Sequence, residues 1–166
     1  MQGFSRTRPL IVLAALSLAL GLAGAVAVYV SASAQGLNPA ALTGDAKGYL
    51  ILADNIRTQH VFSVATTSPF YPESFRAPGY PFFLAVLYAL LGSWAAVLFA
   101  QALLLSVAPI LLYLLIKPHH ERAAFWGACI FALEPLRLFF SASLLSDALF
   151  VVLFLGSLLC LQRSAS

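Results

Sequence analysis

Residues 10–30 read LIVLAALSLALGLAGAVAVYV and contain no charged side chain. A helix needs about 20 consecutive apolar residues to cross the hydrocarbon core of a bilayer. This stretch is therefore predicted to be a membrane-spanning helix. Arg6 and Arg8 precede it and the small residues 31–34 follow it, an arrangement also typical of a cleaved signal peptide. The stretch is longer than the roughly 7 to 15 residues of a signal-peptide core, which favours a retained anchor.

The composition extends this prediction to the whole chain. Hydrophobic residues make up 61% of the 166 residues and charged residues only 9%, and the mean hydropathy is +0.93. Soluble domains usually carry roughly a quarter charged residues, so these values exclude one. The nine Lys and Arg residues are scattered and form no basic stripe, which excludes nucleic acid as a partner. Cys129 and Cys160 lie in apolar runs without CxxC spacing and are interpreted as small hydrophobic residues.

The sequence predicts an all-α, multi-pass membrane protein with about four spans. The predicted spans are 10–30, 94–116, 123–134 and 138–161. A further apolar segment, 80–91, is too short to cross a bilayer and follows a Pro-Gly turn, so we expect an interfacial helix in the outer leaflet. The alternative is a cramped hairpin in which this segment continues through Gly92.

Positive charge is concentrated in the short segments that flank one side of these spans. The residues concerned are Arg6, Arg8, Lys117, Arg122 and Arg163. Because short cytoplasmic segments are enriched in Lys and Arg, both termini are predicted to be cytoplasmic in a protein of the plasma (inner) membrane. The long segment 31–79 has balanced charge and is predicted to form an external loop.

The external loop is predicted to contain a surface helix over 46–58. Its apolar residues recur at spacings of three and four, at Ala46, Tyr49, Leu50, Ala53 and Ile56. Such a helix has one apolar face and would lie on the membrane surface. Thr43 or Asp45 is positioned to cap its first turn, and for Asp45 capping and catalysis are the two alternatives. Residues 63–74 show no periodicity and are predicted to be irregular.

Several ionisable side chains fall on the predicted external side of the spans. They are Asp45, Arg76, Glu134, Arg137 and Asp147. Glu134 and Arg137 flank Pro135 at a predicted external turn, where an exposed ion pair is one explanation. Asp147 would lie about three helical turns inside the last span and is expected to face a wet cavity, with an interfacial position as the alternative. We expect the five side chains to line one polar cavity, with carboxylates to accept a proton and guanidinium groups to hold an anion.

Short motifs occur in a fixed order along the chain. They are Gly44-Asp45-x-x-x-Tyr49, Arg76-x-Pro78-Gly79-Tyr80-Pro81, Gln101-Ala102-Leu103-Leu104, Glu134-Pro135 and Ser143-x-x-x-Asp147. In this order and spacing they resemble the N-terminal part of membrane glycosyltransferases of the GT-C superfold. The resemblance is to the dolichyl-phosphate-mannose protein mannosyltransferase type, glycosyltransferase family 39, which is itself similar to the lipid A aminoarabinose transferases. It covers essentially the whole chain.

The resemblance implies a transferase that takes a sugar from a polyprenyl-phosphate donor and delivers it, with inversion, to a lipid, glycan or protein acceptor at the outer membrane face. It implies that Asp45 is the catalytic base that deprotonates the acceptor hydroxyl. A cation should stabilise the leaving phosphate, with Arg76 as the first candidate and Arg137 as the second. Tyr49 and Tyr80 would orient sugar or phosphate oxygens, or serve as interfacial tyrosines. Some relatives use a divalent cation, but no ligand cluster in the sequence requires one.

The chain departs from the family pattern in two respects. Asp147 stands where many relatives carry a Glu, and Asp45 is followed by Ala46 rather than by a second acid. Family members are also much longer and contain many more spans. We therefore expect either the N-terminal part of a larger transferase or a short, non-catalytic membrane subunit that serves as a scaffold, binding or transporter component.

Overall fold

The computed structural model describes residues 8–165 of the chain. Within that range the regular secondary structure is helical and no strand occurs. The α-helices are α1 (Arg8–Ala34), α2 (Gly44–Gln59), α3 (Gly79–Leu91), α4 (Trp94–Ser106), α5 (Ala108–Ile116), α6 (Glu121–Leu133), α7 (Pro135–Ser141) and α8 (Ser146–Ser164). A short 3-10 turn, Pro39–Ala41, precedes α2. Arg6, which contributes to the predicted orientation, lies outside the described residues.

Three stretches of helix are long and apolar enough to cross a membrane. They are Pro9–Ala34, Trp94–Ile116 and Ser146–Ser164. The second is formed by α4 and α5, which continue into each other through Val107. α6 and α7 together form a fourth candidate, with a bend of 59° between them. The chain is thus an all-α protein with three or four helices suited to span a bilayer.

The candidate spans pack into one bundle. α1 contacts α4 and α6, and α5 contacts α6 and α8. Leu13 of α1 packs with Tyr113 of α5 and Ala124 of α6, whereas Gly24, farther along α1, lies against Ser141 of α7. The C-terminal ends of α1 and α7 therefore lie at the same end of the bundle as the first residues of α4 and α8. We call this the loop end, because it carries residues 35–93.

Glu134 and Arg137 hold the bend between α6 and α7. The Glu134 carboxylate accepts hydrogen bonds from the backbone N–H groups of Leu136 (3.0 Å) and Arg137 (2.6 Å). Arg137 Nη1 donates to the carbonyl oxygen of Ala132 (3.0 Å). Helix ends leave backbone groups unpaired and Pro135 has no N–H, so the two side chains cap the two sides of the break. The negative Glu134 lies at the N-terminus of α7 and the positive Arg137 guanidinium at the C-terminus of α6. Each charge is therefore stabilised by the dipole of that helix end.

Glu134 and Arg137 therefore do not form the exposed ion pair that is one explanation for their spacing. Arg137 is only 2% exposed, and its Nη2 donates to the hydroxyl of Ser17 in α1. The same hydroxyl donates to the carbonyl oxygen of Ser106 (2.8 Å) at the end of α4. The chain does not turn back at Pro135, because α7 continues from the bend toward the loop end. Arg137 thus ties α1 to the broken helix pair inside the bundle.

The predicted continuous span 138–161 is also wrong. α7 ends at Ser141 and α8 begins only at Ser146. The side-chain amide of Gln101 on α4 donates to the carbonyl oxygens of Phe140 (3.2 Å) and Ser143 (2.6 Å). These bonds pair backbone oxygens that a continuing helix would otherwise satisfy. The chain therefore turns back at 142–145, and Asp147 lies in the first turn of α8 rather than deep inside a span.

α2 and α3 pack against each other at the loop end. The range of α2 includes the whole helix predicted over 46–58. Ala46, Leu50 and Ala53, on its predicted apolar face, are buried. They share one core with Leu84 of α3 and with residues of α4. α3 in turn covers the predicted helix 80–91.

Residues 61–78 contain no helix or strand and run beside α2. Asn55 of α2 holds the start of this segment, since its Nδ2 donates to the carbonyl oxygens of Ser63 (2.6 Å) and Ala65 (2.8 Å). The backbone N–H of Glu73 donates to the carbonyl oxygen of Phe62 (2.9 Å), which closes the segment on itself. The irregular segment is therefore fixed near both ends. Arg76 lies three residues after Glu73, whose backbone forms the second of these attachments.

Candidate functional site

Asp45 and Arg76 form an ion pair at the loop end. Thr43 is the residue that caps α2, because its Oγ1 accepts the backbone N–H of Ala46 (3.1 Å). Asp45, in the first turn, is free of the capping role and accepts a hydrogen bond from Arg76 Nη2 at 2.9 Å. The Asp45 side chain is 65% exposed and that of Arg76 only 18%. The carboxylate is thus open to solvent, whereas the guanidinium is largely enclosed.

The Arg76 guanidinium lies directly on the backbone of α2 at Gly48. A Cβ atom at Gly48 would come within 2.7 Å of the guanidinium carbon, so only glycine leaves room for this contact. The ring of Tyr49 lies 5.7 Å from the same carbon. Glu73 adds a second carboxylate, 3.7 Å from Nη1, on a side chain that is 8% exposed. Arg76 is therefore fixed between two acids on a helix surface.

One donor of Arg76 is not used. Its Nε is buried and has no hydrogen-bond partner among residues 8–165. Buried donors normally find a partner, and an unpaired one costs about 1–3 kcal/mol. An anion that approached the guanidinium would meet a cation next to an exposed carboxylate, and it would reach the buried Nε only if the Arg76 side chain moved away from Gly48.

Two tyrosines connect this ion pair to the rest of the loop end. The Tyr49 hydroxyl lies 3.2 Å from Ser146 Oγ at the start of α8. The rings of Tyr49 and Tyr80 meet edge to face, with their centroids 4.9 Å apart. Burial raises the pKa of Tyr80, and the nearby Tyr49 and Asp147 raise it further. The Tyr80 hydroxyl therefore stays protonated at neutral pH and acts as a hydrogen-bond donor.

Gln101 is the polar centre beneath these tyrosines. The Tyr80 hydroxyl donates to Gln101 Oε1, while Gln101 Nε2 donates to the carbonyl oxygens of Phe140 and Ser143. Gln101 is fully buried, so its amide is satisfied entirely by protein groups. Through this one side chain α3, α4 and the 142–145 turn are held in a fixed relation.

The structure divides the predicted site residues into two groups. Asp45, Tyr49, Arg76 and Tyr80 lie together at the loop end, and Asp147 directly follows Ser146, which contacts Tyr49. Glu134 and Arg137 belong to the α6–α7 bend, and neither forms a hydrogen bond or ion pair with that group among the described residues. Within residues 8–165 no group of three or more His, Cys, Asp or Glu side chains could hold a metal ion.

Sequence reasoning missed three members of the cluster. Gly48 carried a signal, because glycine in a helix interior costs about 1 kcal/mol relative to alanine and implies a close approach. In the sequence, Glu73 is one of the acids that balance the charge of segment 31–79, and its burial depends on the fold of 61–78. Ser146 lies inside the predicted span 138–161, so the sequence does not indicate that it belongs to the site; its position follows only from the start of α8.

Replacing Gly48 by Ala tests whether the close contact between Gly48 and the guanidinium holds Arg76 in place. We expect trypsin to cleave after Arg76 about tenfold faster or more in the Gly48→Ala protein, because the new Cβ displaces the guanidinium from Asp45 and Glu73 and loosens the segment. The measurement is the rate of appearance of the cleaved fragment from the intact, detergent-solubilised protein. Gly44→Ala is the matched control, since a Cβ at Gly44 meets nothing within 4 Å. Equal cleavage rates in the two variants would show that the Gly48 contact does not hold Arg76 in place.

A comparison with protein-family models, with curated proteins and with solved structures found no match for this chain. The functional argument therefore rests on the residues of the loop end and on the chemistry that they can perform.

Proposed function

We propose that this chain is, or forms part of, a membrane glycosyltransferase that moves a sugar from a polyprenyl-phosphate donor to an acceptor at the outer membrane face. The contact between Asp45 and Arg76 carries the proposal. It joins an exposed carboxylate to an enclosed guanidinium from positions 31 residues apart in the sequence. A base and an anion ligand are the two groups that such a transfer needs side by side.

The proposed reaction is a single displacement at the anomeric carbon. Asp45 takes the proton of the acceptor hydroxyl while the acceptor oxygen forms a bond to the sugar carbon. The bond from that carbon to the phosphate oxygen breaks, and the polyprenyl phosphate leaves with the electron pair. Arg76 stabilises the negative charge on the leaving phosphate through charge-assisted hydrogen bonds. Attack from the face opposite the phosphate inverts the anomeric centre.

The tyrosines and Asp147 surround this reaction. Tyr49 lies under the Arg76 guanidinium and beside Ser146, where its hydroxyl can orient a phosphate or sugar oxygen. Asp147, in the first turn of α8, adds a carboxylate next to Ser146, whereas the buried Tyr80 supports the Tyr49 ring from α3. In this proposal Arg137 has no part in binding phosphate, because its guanidinium is used inside the bundle.

The proposal places the loop end outside the plasma membrane and both chain termini in the cytoplasm. Lys117 and Arg122 flank the turn between α5 and α6 at the opposite end of the bundle, as expected for cytoplasmic segments. α3 would lie in the outer leaflet, since Phe82, Val86 and Leu90 form an exposed apolar strip along it. A lipid-linked donor would reach Arg76 from that leaflet.

The test is a transfer assay with defined lipid donors. The purified protein in nanodiscs is incubated with polyprenyl-phosphate-linked mannose, arabinose or aminoarabinose and with lipid, glycan and peptide acceptors. We expect one donor to release polyprenyl phosphate in an acceptor-dependent manner and to yield a product of inverted anomeric configuration. Failure of every donor, or a product of retained configuration, would contradict the proposal.

A further inference from the structure

A second polar groove lies at the loop end, away from the Asp45 cluster. It has a volume of about 280 Å³ and is lined by Asn38, Leu50, Ile51, Asp54, Asn55, Thr66 and Trp94. Small-molecule sites usually begin at roughly 300 Å³, so a groove slightly below that volume takes one small ring at most. Asp54 follows Asp45 by nine residues on α2, which at about 3.6 residues per turn puts the two acids on opposite faces of the helix.

Polar side chains in this groove keep hydrogen-bonding groups that no protein group uses within residues 8–165. The Oδ1 of Asn38 accepts the backbone N–H of Ala40 (3.0 Å), whereas its amide N–H₂ has no partner in that range. Asp54 Oδ1 accepts from Arg57 Nη2 (2.7 Å), whereas Oδ2 has no partner within the described part of the chain. The Thr66 hydroxyl likewise forms no hydrogen bond among residues 8–165. The groove thus offers a donor, an acceptor and a group that can be either.

Apolar and aromatic side chains also line the groove, namely Trp94, Leu50 and Ile51. The Trp94 ring is held in place by Tyr88, with ring centroids 4.5 Å apart. An indole supplies a rigid, flat apolar surface together with one N–H donor. A ligand that fits must therefore offer both apolar surface and hydrogen-bonding groups.

The charges around the groove also restrict the net charge of a ligand that could bind there. The carboxylate of Asp54 is balanced by Arg57, and the Arg57 guanidinium lies over the Tyr88 ring at 4.6 Å. None of the residues that line the groove is a cation. A phosphate would bring further negative charge next to the Asp54 carboxylate, which already takes up the charge of Arg57, and a cationic ligand would compete with Arg57.

We propose that this groove binds the ring of a neutral sugar. Hydroxyl groups at the ring edge both donate and accept, as Asn38, Asp54 and Thr66 require, while the C–H face of the ring packs on Trp94. The site is independent of the Asp45 and Arg76 pair and does not require that the chain transfer a sugar.

Trp94 allows the binding to be measured directly. The chain has two tryptophans, and Trp126 on α6 is 65% exposed, so Trp126→Phe leaves Trp94 as the single reporter. This protein in nanodiscs is titrated with the methyl glycosides of mannose, glucose, galactose, arabinose and N-acetylglucosamine. We expect at least one to change the Trp94 fluorescence saturably. No saturable change with any of the five would overturn the proposal and leave Trp94 as a membrane-interface residue.

Matched threonine variants locate the bound sugar. Thr66→Val removes one hydroxyl that has no partner in the fold, and we expect it to weaken binding about threefold to tenfold, the value of one hydrogen bond. Thr67→Val is the control, because Thr67 is also exposed and does not line the groove. Equal affinities of the two variants would place the sugar elsewhere and refute the groove. Asp45→Asn should leave this affinity unchanged, and a loss there would assign the sugar to the Asp45 cluster instead.

Discussion

Replacing Asp45 by Asn is expected to lower the rate of sugar transfer by about 10²- to 10⁴-fold, the usual contribution of a positioned general base. The asparagine keeps the size and the hydrogen bond to Arg76 but cannot take the acceptor proton. The measurement is the initial rate of polyprenyl phosphate release at saturating donor and acceptor. Membrane insertion and thermal stability should be nearly unchanged, because an ion pair as exposed as this one contributes only about 0–1 kcal/mol.

Glu121→Gln is the control for the loss of a carboxylate. Glu121 also pairs with a cation, Lys117 at 3.6 Å, but it lies at the opposite end of the bundle from Asp45. We expect full transfer activity in this variant. Normal transfer by the Asp45→Asn protein would show that another group removes the proton.

Replacing Arg76 by Ala is expected to raise the KM for the lipid donor by about 10- to 100-fold, since hydrogen bonds to charged groups contribute about 1.5–3 kcal/mol. The KM for the acceptor should change much less, because the acceptor approaches the Asp45 side of the pair. The experiment compares both KM values in nanodiscs at fixed lipid composition. Some loss of kcat should accompany the change, since in the proposed reaction Arg76 also stabilises the leaving phosphate.

Arg57→Ala serves as the control for the removal of a guanidinium from the loop end. Arg57 lies on α2 and pairs with Asp54, so the variant removes the same charge outside the Asp45 cluster. Its donor KM should equal that of the unaltered protein. An Arg76→Ala protein with an unchanged response to donor concentration would refute the phosphate role of Arg76.

Hydropathy and periodicity predict most of the helices because both depend on local sequence. Residues 10–30 lie within α1 and residues 94–116 correspond to α4 and α5. The helix predicted over 46–58 matches α2 because its apolar spacing directs one face into the core formed with α3. These features need no knowledge of which helices become neighbours.

The failures lie where a distant side chain decides the local structure. Glu134-Pro135 has the sequence of an external turn, and only Ser17 on α1 reveals that Arg137 is buried at a bend. The helix end at Ser141 depends on Gln101, which is 40 positions earlier in the chain. The contact between Arg76 and Gly48 likewise joins an irregular segment to a helix, and no periodic pattern in the sequence predicts it.

The tie from Arg137 to Ser17 has a consequence for the order of assembly. An arginine in a helix that crosses the bilayer costs about 2.5–3.5 kcal/mol to insert. Here the hydroxyl of Ser17 and the free carbonyl of Ala132 offset that cost. During synthesis α1 leaves the ribosome long before α6 and α7, so it is already in the membrane when Arg137 arrives. We therefore expect the insertion of α6 and α7 to depend on α1, because Ser17 supplies a partner for Arg137.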